Sequence, residues 1–332
     1  MTAAQDAFFV LVTLAIALGV SLASVGYFRK VTLPRPAVGV FNGKDMVVMM
    51  GFVIALPFFY LALPGWLLPP VLGLTMAGGL SVGYGAVVRR GLVRWSLIIC
   101  LMAADWITAR SAEDDPTHAL PYWLINSVVI LLMAVGAANL NTQGGLKLRH
   151  VSRFALALAV YDLFFATVVP LTQKLFGAVQ GYAFAPSAGL RIGEFGAVVG
   201  IGDLLVYALF TTVAYKSYGR QGLTLALCLV AVFGALAPTL TPITVEALTG
   251  HLPEIVPAQL FFGPAAFFGY LVLRRSGPER RMIDVRPPAP PTRLTPAPGE
   301  LETAGAWDVA RRRLDEQAAV NAAPGPAGQP DA

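Results

Sequence analysis

The sequence predicts an all-α, polytopic membrane protein of about nine transmembrane helices, and three observations predict it. Of 332 residues, 56% are apolar types and 13% are charged, whereas a soluble domain carries about 25% charged residues. So little charge cannot cover a water-facing surface, so most of the surface must meet lipid. Apolar runs near the ~20-residue length of a spanning helix recur along the chain. Basic residues stand singly or in pairs between those runs, as the flanks of membrane helices do. The net charge of +5 has this origin and does not point to nucleic acid.

The first run, 7–28, is preceded by Gln5 and Asp6. Without a basic n-region it reads as a retained helix and not as a cleaved signal. Runs 46–63 and 66–88 are divided by Pro64-Gly65, a tight-turn dipeptide. Run 95–109 is short, and runs 121–140, 152–172, 192–215, 222–248 and 256–273 complete the set. Residues 1–275 are thereby predicted to form one transmembrane domain. From Ser276 the composition turns to Pro, Ala, Gly and charge, which predicts a disordered tail over 276–332. A short helix around Trp307–Val320, with Arg311, Arg312 and Arg313 exposed, is its one candidate regular element.

Orientation follows from the basic residues. One set of alternate loops, with the start of the tail, carries about 16 of them, including Arg29, Lys30, Arg89, Arg90, Arg149 and Lys216. The opposite set holds Arg110, Lys174 and Arg191 beside the acidic run Glu113-Asp114-Asp115. The positive-inside rule then predicts an outside N-terminus, a cytoplasmic C-terminus and an odd number of spans in a cell membrane. Abundant alanine, and arginine in excess over lysine, fit a prokaryotic plasma membrane.

Cys100 and Cys228 lie inside apolar runs, and His118, His150 and His251 are scattered through connections. No metal-ligand spacing is present, and no cofactor is implied. The chemistry must therefore come from ionisable residues within spans, each costing on the order of 3 kcal/mol at a helix centre. Asp105 and Glu194 fall near outer span ends, where an interfacial, structural place is cheap. Asp162 lies nine residues beyond Arg153, and Asp203 lies thirteen before Lys216. At ~1.5 Å per residue these are roughly 14 and 20 Å from the same boundary of a ~30 Å core. Both carboxyls fall near mid-membrane on consecutive antiparallel helices, where they can meet.

Two carboxyls meeting in a low dielectric cannot both ionise cheaply and share a proton, the arrangement that aspartic proteases use. A hydrogen-bonded acid pair locking two helices, or a proton relay, uses the same residues. Around Asp203, Gly193, Gly196, Gly200 and Gly202 are read as one helix face open to close backbone approach. Tyr161 precedes Asp162 and offers a hydroxyl to the site.

Val160-Tyr161-Asp162-Leu163-Phe164 resembles the YD motif of the presenilin and signal peptide peptidase family. Gly200-Ile201-Gly202-Asp203 resembles its GxGD motif, and Pro257-Ala258-Gln259-Leu260 its PAL motif. The longer run through Phe261-Phe262-Gly263-Pro264-Ala265 is similar to the signal peptide peptidase version, with Gln259 standing where the family has leucine. The three motifs fall on the sixth, seventh and ninth runs, as in the family. The resemblance implies a presenilin-like nine-span fold with Asp162 and Asp203 as catalytic acids. It implies substrate-binding roles for Tyr161, Gly200, Gly202, Pro257, Ala258, Gln259 and Leu260. Implied substrates are transmembrane peptides, such as leftover signal peptides or type II single-span proteins, with the lipid bilayer as surroundings. No obligatory protein partner is implied, and the short 173–191 connection gives no reason to expect self-cleavage. Two other readings compete. A prepilin peptidase-like aspartyl peptidase also carries a GxGD element but cuts near the cytoplasmic face. A proton- or cation-coupled secondary transporter would use two buried acids and glycine-broken helices.

Overall fold

A computed structural model of the chain describes residues 3–33, 43–115, 119–167, 183–192, 195–250 and 256–280, with a few isolated positions besides. The chain divides into two compact units, 1–286 and 287–332. Apart from residue 315, all described residues belong to the first, so Trp307–Val320 and most of the expected tail lie outside the described residues.

The first unit is mostly helical. Helices α1 (Ala3–Lys30), α2 (Gly43–Ala62), α3 (Leu68–Tyr84), α4 (Gly91–Asp114), α5 (Ala119–Gln143) and α6 (Leu148–Thr167) follow one another. A hairpin of β1 (Ser187–Ile192) and β2 (Phe195–Gly200) comes next. It leads into α7 (Ile201–Leu229), a π-helical segment (Val230–Leu236), α8 (Ala237–Thr249) and α9 (Gln259–Arg275). Five helical stretches among the described residues are long and apolar enough to cross a membrane: 5–30, 43–62, 91–113, 119–143 and 201–249. The fourth run, expected to be short, is a helix of 24 residues. The α2–α3 turn falls where Pro64-Gly65 predicts it, with the Leu67 N–H donating to the Pro64 carbonyl at 2.9 Å. Two prolines, Pro69 and Pro70, then open α3, where a missing N–H costs nothing.

The long stretch 201–249 is not one rod. Gly219 has φ 66° and ψ −138°, a conformation that side-chain-bearing residues avoid, and the chain reverses there. Tyr207 before the break donates its hydroxyl to the Gly234 carbonyl after it, at 2.8 Å. The sequence boundary between the seventh and eighth runs therefore lies at this glycine.

Helix α5 is the hub, contacting α1, α3, α4, β1 and α7. Buried polar side chains join it to its neighbours. Asn139 donates to the Ser24 carbonyl at 3.0 Å, and the Ser24 and Thr212 hydroxyls bond at 2.7 Å, tying α1, α5 and α7. In lipid, where apolar burial does not drive helices together, such bonds contribute about 0.6–2 kcal/mol each. Where α3 crosses α5, an added Cβ on Gly83 would stand 2.9 Å from the Gly136 Cα, so the two backbones touch.

Residues 276–280, expected to begin a disordered tail, are hydrogen-bonded to the helix ends. Glu279 accepts from the backbone N–H groups of Leu148 and Arg149 at 2.9 and 3.1 Å, capping α6. Arg280 donates to the Ser217 carbonyl at 3.2 Å, just before the Gly219 break.

Candidate active site

The seventh run was expected to be helical from residue 192, with its glycines on one helix face. The structure corrects this: Gly196 and Gly200 lie in β2, and helix begins only at Ile201. Gly193 and Glu194 lie outside the described residues. Glycine disfavours helix by about 1 kcal/mol each, and pairing replaces the helical bonds. Gly189 pairs with Val198, and an added Cβ there would stand 2.8 Å from the Val198 Cα. The strands thus meet this closely only because residue 189 is glycine.

A buried hairpin is tolerable only if its edge groups find hydrogen-bond partners. Helix α5 supplies them for β1. Ser127 bonds both the N–H and the carbonyl of Gly189, at 2.9 and 3.2 Å. Asn126 donates to the Ala185 and Ser187 carbonyls at 3.1 and 2.7 Å. Asp105 completes the brace. Expected at the interface, it is fully buried and accepts the Phe184 N–H at 2.8 Å. Phe184 has φ 65°, so this bond holds a strained turn at the foot of β1. Because Gly189 turns its polar groups toward α5, its partner Val198 turns its own away from β1. Among the described residues they meet no partner, leaving the outer edge of β2 unpaired there.

Asp203 sits in the first turn of α7, directly after the hairpin. From Asp203 to Lys216 the helix is unbroken, so the spacing inferred from sequence holds. Lys216 is buried and donates its ammonium to the Leu146 carbonyl between α5 and α6. Asp162 lies near the C-terminal end of α6. The two half-buried acids are close enough for the charge of Asp203 to act on Asp162.

The third contribution comes from α9. Gln259, its first residue, is buried and donates Nε2–H to Asp203 Oδ1 at 2.9 Å. Its Oε1 is buried without a hydrogen-bond partner among the described residues. The other Asp203 oxygen, Oδ2, faces Gly200, whose added Cβ would lie 3.5 Å from it. Gly202, beside Asp203 in the chain, is exposed, and Asp203 itself is half-buried.

Helix α9 reaches this place by packing closely on α6. A Cβ on Gly263 would stand 2.8 Å from Ala159 Cβ and nearer still to the Ala155 carbonyl. Pro257 falls inside the predicted 256–273 run. It instead precedes α9, and its carbonyl accepts the Leu260 N–H at 3.2 Å. Ala258 is the N-cap residue, and its carbonyl accepts from Phe261 and Phe262. Leu260 is half-buried. Tyr161 packs its ring, tilted by 49°, at 4.6 Å from that of Phe165, with no hydrogen bond to Asp162 among the described residues.

One neighbour escaped the sequence reading. Tyr207 lies one turn after Asp203, on the same face. It is fully buried against Phe262 at 4.8 Å, within electrostatic range of both acids. The i, i+4 spacing from Asp203 was the available signal. Cys100 and Cys228 are free thiols on the outer surface. Compared with known proteins, the chain matches no family model and no curated relative.

Proposed function

We propose that this chain is an intramembrane aspartyl endopeptidase of the GxGD type, with Asp162 and Asp203 as its catalytic pair. The observation that carries the reading is the packing of α6 against α7, which puts the two acids within electrostatic range of each other, with the buried amide of Gln259 bonded to Asp203. The ionised carboxylate takes a proton from water as the hydroxyl attacks the scissile carbonyl. The protonated partner gives its proton to the carbonyl oxygen. The resulting gem-diol collapses as the first acid protonates the leaving amine and the second takes a proton from a diol hydroxyl, so the pair again holds one proton. No cofactor, metal or covalent intermediate is required.

The substrate is a single-span segment in the bilayer, such as a signal peptide or type II protein. Its peptide bonds must first leave their helical hydrogen bonds. The unpaired edge of β2 at Val198, a few residues before Asp203, offers main chain for an added strand. Nine spans in a presenilin-like arrangement, an outside N-terminus and a cytoplasmic C-terminus in a prokaryotic plasma membrane complete the reading, with no obligatory protein partner.

Cleavage of a fluorogenic single-span peptide in proteoliposomes tests it. Asp162→Asn and Asp203→Asn should each fold and be inactive, and undiminished cleavage by either sinks the dyad. Single cysteines placed in segment 173–191 should label from outside. A proton- or cation-coupled transporter draws on the same acids and on the helix break at Gly219. Ion flux without proteolysis would favour it.

A further inference from the structure

Helices α1 and α3 both lean on α5 without packing along each other, and a groove of about 470 Å³ opens between them. Its α1 wall is Gly19, Ala23 and Gly26, and its floor is Leu131, Leu132 and Val135 of α5. Tyr27 and Tyr84 close one side, their rings 5.4 Å apart. Their hydroxyls are spent on the Gly83 and Leu132 carbonyls, at 2.6 and 3.0 Å, so the lining is apolar in character. The groove is independent of the acid pair, none of whose residues line it.

Three features specify an occupant. From Gly19 to Lys30 the groove runs eleven residues of helix, about 16 Å, which is the depth of one leaflet of a ~30 Å core. Cations gather at one end only: Lys30 lines the mouth, Arg29 adjoins it, and Arg89 and Arg90 follow the lining residue Val87. All four are exposed, and Lys30 has no ion-pair partner among the described residues. An apolar channel one leaflet deep with cations at its polar end matches an acyl chain below an anionic headgroup. We infer that the α1–α3–α5 groove binds one anionic glycerophospholipid, with its chain along Gly19–Gly26 and its phosphate at Lys30.

Native mass spectrometry of the protein extracted from phosphatidylcholine vesicles doped with phosphatidylglycerol tests this. The wild type should retain one phosphatidylglycerol in preference to phosphatidylcholine. Gly26→Leu fills the groove, and because no atom lies within 4 Å of an added Cβ at Gly19 or Gly26, the helix accepts it. This variant should lose the retained lipid while keeping the wild-type melting temperature. Gly19→Leu serves as its second copy if Gly26→Leu does not fold. Lys30→Gln should still hold a lipid but lose about 5-fold of its preference for the anionic one. Retention unchanged in the folded glycine variants overturns the site. Equal retention of both lipids by the wild type overturns the anionic assignment. Crosslinking of an Ala23→Cys variant to itself, with no lipid retained, would give the groove to a second copy of the chain and overturn the proposal as well.

Discussion

The contact between α9 and α6 sets where Gln259 meets Asp203, and Gly263→Ala tests it. A Cβ at 263 would stand 2.8 Å from Ala159 Cβ, whereas carbon atoms settle at about 3.5 Å or more. Helix α9 must then retreat by at least about 0.7 Å. Gln259 lies one turn earlier on the same face and moves with it. Its 2.9 Å bond to Asp203 opens to roughly 3.6 Å, which is no longer a hydrogen bond. Misplacement by about 1 Å costs on the order of 100-fold in rate, so kcat should fall between about 10-fold and 100-fold. Stability should fall by about 1–3 kcal/mol. Cleavage of the single-span reporter in proteoliposomes measures the first, and thermal unfolding in detergent the second. Gly19→Ala, which meets open space, should leave both unchanged. A folded Gly263→Ala protein cleaving at the wild-type rate would refute the idea that this contact positions Gln259 on Asp203.

Gln259→Leu removes the donor that Asp203 Oδ1 has among the described residues. A bond to a charged group contributes about 1.5–3 kcal/mol, so kcat should drop at least about 10-fold with KM little changed, read from initial rates. Asp105→Ala leaves the Phe184 N–H buried and unpaired, at a cost of about 1–3 kcal/mol; hydrogen exchange over residues 184–190 should accelerate. Gly219→Ala forces a side chain into φ 66°, lowering stability by about 1–3 kcal/mol in the same unfolding assay. Asn139→Ala releases α1 from α5 and should cost about 1 kcal/mol, with the cleavage rate per folded molecule unchanged.

Much of the helical plan was legible because a spanning segment must be long, apolar and flanked by charge, and each condition is local. The Pro64-Gly65 turn and the α7 reversal, placed between 215 and 222, belong to this class. The hairpin was not legible. Residues 187–200 are short, glycine-rich and broken by Arg191 and Glu194, and in such a run the periods of strand and helix cannot be told apart. Asn126, Ser127 and Asp105 decide it, and they come from helices remote in sequence. Asp105 seemed cheap at an interface because sequence position alone cannot show that Phe184 folds over it.

By itself, the sequence determined that the chain forms helices long and apolar enough to cross a membrane, where those helices break, and which two acids fall well inside apolar runs. These follow from composition and rise per residue, properties that each segment carries alone. Tertiary structure decided that Gly196 and Gly200 lie in a strand, that Pro257 precedes the last helix, and that Gln259 is the group bonded to Asp203. Those outcomes depend on which backbone lies a few ångströms away, and only the assembled helices supply that neighbour.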